Sequence, residues 1–364
     1  MNKYLELSDI ALIPSDKNNG NVVNKYDFSV SDQLDSGMRS LPIFTSPMNA
    51  VVDEKNWKVW ADNGIKPVLP RTLPLNLRLE GCQYVFAAFS LSEVRDCFVL
   101  RKQTSPNQFR ICIDSGNGHD VEMFNIGKTL KQMYAQQVNL MGGNIGSPKV
   151  YLDYCHAGYD YVRVGMTSSS LVYRGSKYGF HYPQASLLID TYGIKKTAIG
   201  LKHPKIIADG GIHGPVDILK CIALGADYVM VGRNFAKLVE AAGQIYKKVG
   251  ILPNGHDEVK KVTPDELKNK SLAELIQMKL VRIYYGNTSM EMQALRQGLN
   301  DIHDWMNMST FKKNPSDASK DTLSVDNTLK DWLEDFYECT AYGFTMAGAL
   351  SWETFKSNVK YVRV

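Results

Sequence analysis

The chain has 364 residues, 44% hydrophobic and 22% charged, with 28 Gly and 14 Pro. Those fractions suit a folded globular protein and exclude a disordered, collagenous or coiled-coil chain. Lys plus Arg is 42 against 38 Asp plus Glu, and an evenly mixed net charge of +4 does not point to nucleic acid or a membrane surface as partner.

The six cysteines (Cys82, Cys97, Cys112, Cys155, Cys221, Cys339) include no CxxC pair, and the seven histidines no HxxxH spacing. A disulfide scaffold and a zinc site are therefore not expected, and a reducing cytoplasm fits. The opening MNKYLELSDI has no apolar core of a signal peptide, and no stretch approaches about 18 uninterrupted apolar residues, so a soluble, cytoplasmic protein is expected.

In chain order, residues 1–41 come first and hold one apolar run, Ile10 to Ile13, closed by Pro14. Eight short apolar runs follow: PIFTSP (42–47), KPVLP (66–70), YVFAAF (84–89), FRICID (109–114), VNLMG (138–142), YVRVG (161–165), KIIAD (205–209) and YVMVG (228–232). Brief β-branched or aromatic runs ending at Gly, Pro, Asp or Ser read as strands buried on both faces. Amphipathic stretches lie between them. In GPVDILKCIALGAD, Val216, Ile218, Leu219, Ile222 and Ala223 mark an apolar face and Gly225 a stop.

Eight β-then-α units predict a (β/α)8 TIM barrel over about 42–247. A doubly wound sheet competes, but no GxGxxG opens a helix. Residues from about 250 to 364 are read as a flap and tail of the same single domain. The polar, turn-rich part up to 340 is either a lid or a disordered surface loop.

A barrel carries its site at the carboxyl ends of its strands. There the chain places Asp114-Ser115-Gly116-Asn117-Gly118, Gly142-Gly143-Asn144, Asp209-Gly210-Gly211 and Gly232-Arg233. The last two groups follow strands seven and eight, where barrels hold phosphate on backbone N–H groups. Gly210, Gly211 and Gly232 permit close approach, and Arg233 adds charge. Asp209 suits the two hydroxyls of a ribose, or else caps the helix starting near Gly214. Asp114 recognises a sugar or amide, or else is a satisfied loop carboxylate.

At these residues the chain resembles the IMP dehydrogenase/GMP reductase family. The likeness runs through LSDIALIPS (7–15), PIFTSPMNAVV (42–52), ICIDSGNGHD (111–120), LMGGNIGSP (140–148), AGYDYVRVGMTSSSLVYRGSKYGFHYPQ (157–184), IIADGGIHGPVDILKCIALGADYVMVGRNFA (206–236), IYYGNTSMEMQ (283–293) and the closing YVRV (361–364). It covers nearly the whole chain in order. The IDSGNG loop, the YGNTSMEM flap entry and the absence of room for a CBS module lean towards GMP reductase.

The resemblance implies a purine mononucleotide substrate held by Ser170, Asp209, Gly210, Gly211, Gly232, Arg233, Tyr284 and Asn287. It implies NADPH or NADH beside Asp114, Ser115, Asn117, Gly118 and Asn144, and a homotetramer. It also implies a cysteine that attacks C2 of the purine, but that position is Val172. Arg174 replaces a nearby threonine, and Thr167 and Ser169 replace the glycines of a monovalent-cation turn. The reductase glutamate falls at Met290, with Glu291 one place beyond. Glu291 and Arg174 remain weak catalytic candidates, and Arg174 with Lys177 either binds a second anion or forms a solvated face.

The nucleotide cradle is present and the thiol is missing. Three functions follow: a GMP reductase-like NAD(P)H-dependent oxidoreductase with non-standard chemistry, a catalytically silent purine-nucleotide-binding protein, or an enzyme acting on a modified purine or deazapurine nucleotide.

Overall fold

The computed structural model of the chain describes residues 4–16, 23, 40–101, 108–166, 179–251, 257–267, 270–285 and 320–364. All eight expected strands form. They are β2 (Ile43–Thr45), β3 (Val68–Leu69), β4 (Phe86–Phe89), β5 (Phe109–Asp114), β6 (Val138–Ile145), β7 (Tyr161–Val164), β8 (Lys205–Asp209) and β9 (Tyr228–Val231). Every sheet pairing among them is parallel, in the order β2-β9-β8-β7-β6-β5-β4-β3. A parallel bridge between Phe44 and Lys66, just ahead of β3, closes the ring. The fold is a (β/α)8 barrel.

Strand alternation divides the side chains into two cores. Phe44, Val68, Phe86, Ala88, Cys112, Met141, Ile207, Tyr228 and Met230 fill the barrel, with Tyr161 packed against them. Phe44, Phe86, Tyr161 and Tyr228 meet edge to face, with centroids 5.2–5.8 Å apart for the pairs that touch. The alternate residues, such as Ile111, Val162, Val164, Ile206 and Ala208, pack outward against the helices. The helix Pro215–Ala223 buries Ile218, Leu219, Cys221, Ile222 and Ala223. Val216, expected on that face, is 55% exposed instead: it is the second residue of a helix that starts at Pro215, and the packed stripe begins only at Ile218. Gly225 follows at φ +112°, a conformation that suits a helix stop.

The two ends of the chain meet. The run Ile10–Ile13 is strand β1, and it pairs antiparallel with β14 (Lys360–Arg363). Beyond the barrel, the described part of the turn-rich segment forms a four-stranded antiparallel sheet. It consists of β10 (Ile245–Ile251), β11 (Asp257–Lys261), β12 (Leu280–Tyr285) and β13 (Lys320–Ser324), in the order β11-β10-β12-β13. Ile245, Val262, Leu275, Leu280 and Val325 give it a small core of its own. The helix Leu329–Ala347 follows, capped by the Thr328 hydroxyl at one end and by left-handed Gly348 at the other. Among the described residues no helix is long and apolar enough to cross a membrane.

Candidate functional site

Four consecutive strands, β5 to β8, bring polar side chains to the mouth of the barrel. Asp114, Arg163 and Asp209 each lie two residues beyond an interior side chain (Cys112, Tyr161 and Ile207), so each points inward one layer nearer the mouth. Asn144 joins them through a register shift in β6 between Gly143 and Ile145, which breaks the strict alternation.

Arg163 ties the cluster together. Its Nη1 donates to Asp114 Oδ1 at 2.6 Å, its Nε donates to Asp209 Oδ2 at 2.9 Å, and its Nη2 lies 2.8 Å from the same oxygen. Asn144 Nδ2 donates to Asp209 Oδ2 at 2.7 Å and to the Gly165 carbonyl at 2.8 Å. Burial alone would favour a neutral guanidine, but the carboxylates of Asp209 and then Asp114 outweigh it and lift the pKa well above the ordinary arginine value. The guanidinium is therefore held charged between the two carboxyl groups. Among the described residues, Asp209 Oδ1 and Asn144 Oδ1 accept no hydrogen bond. Two open acceptors side by side suit a ligand that offers hydroxyl or amide donors.

Asp209 is thus not the helix cap considered from sequence; that place belongs to Gly214, which makes no side-chain cap. For Asp114 the structure shows a carboxylate already satisfied in part by Arg163. Arg163 is the residue sequence reading passed over. Its signal was a lone charge inside the buried run YVRV.

The loops after β5 and β6 are fastened to each other. Ser115 N–H donates to the Gly143 carbonyl at 3.2 Å, Asn144 N–H to the Ser115 carbonyl at 3.1 Å, and Gly118 N–H to the Asn144 carbonyl at 3.1 Å. A Cβ on Gly118 would sit 2.6 Å from that Asn144 oxygen, so only glycine fits. His119 Nε2 accepts from Gly146 N–H at 2.9 Å, which leaves the ring proton on Nδ1, and burial holds its pKa below the ordinary value. The side chains of Ser115 and Asn117 serve local turn hydrogen bonds. Beside this unit lies a cleft of about 370 Å³, lined by Arg71, Ser90, Arg95, Asp114, Ser115 and Glu122 among others. Arg71 Nη1 donates to the Asp114 carbonyl at 3.2 Å, and Arg95 pairs with Glu122.

Directly after Asp209, Gly210 and Gly211 adopt φ of +109° and +74°, where a side chain would be strained. A Cβ on Gly232 would lie 2.9 Å from both Ser46 Oγ and the Tyr284 hydroxyl. That hydroxyl donates to Met48 Sδ at 3.2 Å, which brings the flap sheet onto the loop after β2, beside Gly232. Arg233, beside it, is partly buried. Asn234 joins the two glycine loops: its Nδ2 donates to the His213 carbonyl at 2.8 Å, and its Oδ1 accepts from Trp332 Nε1.

Ser170, Val172, Arg174, Asn287 and Glu291 lie outside the described residues, as do Thr167, Ser169, Lys177 and Met290. His181 Nε2 lies 2.6 Å from Glu6 Oε1, and the other Glu6 oxygen accepts from Gln184 N–H at the start of a helix. All six cysteines are described, five buried and Cys339 half-buried. Burial pushes the Cys82 and Cys112 thiols up to about 12 and raises the other four. Cys112 lies nearest the cluster, 3.8 Å from Arg163 Nη1, yet is fully enclosed. None of the six is a ready thiolate at neutral pH.

Fold and rim together define a TIM barrel with its candidate site at the carboxyl ends of the strands. Residues 106–252 match the family model described as the IMP dehydrogenase / GMP reductase domain. The chain is 28% identical to a GMP reductase of Clostridium acetobutylicum over 262 residues, covering 69% of this chain and 76% of that protein. It is 31% identical to human GMP reductase 1 over 42% of this chain and 44% of that one. An inosine-5'-monophosphate dehydrogenase of Borreliella burgdorferi is 26% identical over 70% of this chain and 54% of its own length. Over residues 106–252 the chain thus matches the IMP dehydrogenase/GMP reductase family.

Proposed function

We propose that the protein is a GMP reductase-like, NAD(P)H-dependent oxidoreductase acting on a purine mononucleotide, without a thioether bond to the base. The observation that carries this reading is the Asp209–Arg163–Asp114 cluster set beside the Gly211 and Gly232 loops, which follow β8 and its neighbour β9. Asp209 Oδ1 and Asn144 Oδ1 accept from the ribose, while the backbone at Gly210, Gly211 and Gly232 takes the phosphate with Arg233 beside it. Ser170 and Asn287 belong to the same proposed substrate set.

The cleft beside Asp114 and Ser115 fits a nicotinamide cofactor: it is polar, it carries two arginines, and it opens onto the same cluster. Asp114, Ser115, Asn117, Gly118 and Asn144 would hold the group there. When bound, it supplies or accepts hydride. Arg163 fixes Asp114 and Asp209 in place, so neither carboxyl group reorganises as charge changes at the base.

NADPH oxidation followed with GMP and related purine mononucleotides tests the reading. Consumption that depends on the nucleotide supports it. Val172 at the position where the resemblance implies the cysteine, with five of the six cysteines buried and Cys339 half-buried, favours a second reading, a silent nucleotide-binding protein. Binding of a mononucleotide by calorimetry with no turnover would select that alternative. We further propose a homo-oligomer, to be checked by sedimentation.

A further inference from the structure

Arg282 is fully buried in β12, yet it forms no ion pair among the described residues. Its guanidinium is held by carbonyls alone. Nη1 donates to Ala236 O at 2.6 Å and Leu238 O at 2.8 Å, Nη2 donates to Ala241 O at 2.9 Å, and Nε has no partner. Its nearest acidic neighbour by electrostatic effect, Glu240, accepts from Leu329 N–H at 2.9 Å instead. Burial lowers the Arg282 pKa to about 10, against a weaker opposing effect of Glu240, so the charge persists at neutral pH. An enclosed charge without a counterion is costly, and structural clamping of three carbonyls does not require one.

The carbonyls it holds belong to the segment that begins at Gly232, where Ala236 N–H donates to Gly232 O at 2.9 Å. Two residues along the same face of β12, the Tyr284 hydroxyl reaches Gly232 itself. One strand of the flap sheet thus places a hydroxyl beside the proposed phosphate corner and a buried cation behind it.

We propose that Arg282 is a positioning residue of that corner, fixing the 232–241 segment and lending positive potential that selects a phosphorylated ligand over its unphosphorylated counterpart. The proposal rests on the reading that this corner takes phosphate. The size expected of one unit charge acting across a loop, at an effective dielectric of about 20, is roughly tenfold in affinity.

Calorimetric titration of the full chain with IMP, inosine and inorganic phosphate tests it. In Arg282→Met the IMP-to-inosine affinity ratio should fall about tenfold, and phosphate binding should weaken in parallel; Arg282→Lys, which keeps the charge, should restore most of the ratio. An unchanged ratio in Arg282→Met, or equal losses for IMP and inosine, would overturn the proposal. Should that variant not fold, Glu240→Gln keeps an acceptor for Leu329 and removes the negative charge acting on Arg282. It should raise the ratio about two- to threefold, and no change there would equally overturn the proposal. Failure of the wild-type chain to bind IMP or phosphate at all would instead refute the phosphate reading of the corner.

Discussion

Arg163 carries the greatest electrostatic load in the described mouth, because two carboxyl groups, from β5 and β8, converge on its one buried guanidinium in β7. Removing one member of a buried ion cluster leaves the others uncompensated. Arg163→Met should therefore lose about 3–5 kcal/mol in urea unfolding, far more than Arg233→Met on the partly exposed rim. Asp209→Ala removes the open acceptor and should weaken mononucleotide binding about ten- to hundredfold by calorimetry, as expected for a hydrogen bond to a charged group. Normal affinity in that variant would contradict the ribose role. Asp209, Gly211 and Gly232 were legible in the sequence because each stands directly after an apolar run. Arg163 and Arg282 were not: the pattern places Arg163 in a strand without saying which polar groups it meets, and Arg282 lies in the flap segment, which was not read as strands. A single charge in an otherwise buried run is the signal that both share.

Elements matter here chiefly by how they are tied at the rim. Asn234 links the loop after β8, the loop after β9 and the helix Leu329–Ala347. Asn234→Ala should loosen both glycine loops and lower mononucleotide affinity about tenfold while leaving the melting temperature within a few degrees; unchanged affinity would show the bridge to be dispensable. On the outer layer, Asp227 pairs with Lys195 of the helix Gln184–Thr197 and Lys356 of the helix Trp352–Asn358, and accepts from Ile206 N–H. Burial would raise its pKa, but Lys356 and Lys195 prevail and bring it down to about 2 from 3.8. A depressed carboxylate stabilises the fold above its unfolded pKa, and that contribution, about 2 kcal/mol, is lost as pH falls from about 4 to about 2. Asp227→Asn should flatten this part of the stability–pH curve measured by denaturant titration. The barrel strands were readable because a parallel strand is apolar on both faces. The four-stranded flap sheet was not: its strands are largely polar, as in Tyr246-Lys247-Lys248 and Asp257-Glu258-Val259-Lys260-Lys261, and their pairing partners lie far apart in the chain. Val216 was misassigned for a related reason, since a helical stripe does not show where packing begins.

At the scale of the whole molecule, the barrel supplies the framework, the C-terminal sheet closes over one side of its mouth through Tyr284, and β1 with β14 draws the chain ends together. The proposed function separates two properties, grip on the nucleotide and thiol attack on the base. A rim that keeps Asp209, Asn144 and the glycine loops should still bind its ligand when no thiolate is present. Thermal denaturation with a series of purine mononucleotides, with and without NADPH or NADH, measures that grip most directly. A mononucleotide at about a hundredfold excess over its Kd should add about 2.7 kcal/mol of stability, and the matching nucleoside much less. No stabilisation by any purine mononucleotide, or equal stabilisation by nucleoside and nucleotide, would contradict a site built around phosphate and ribose.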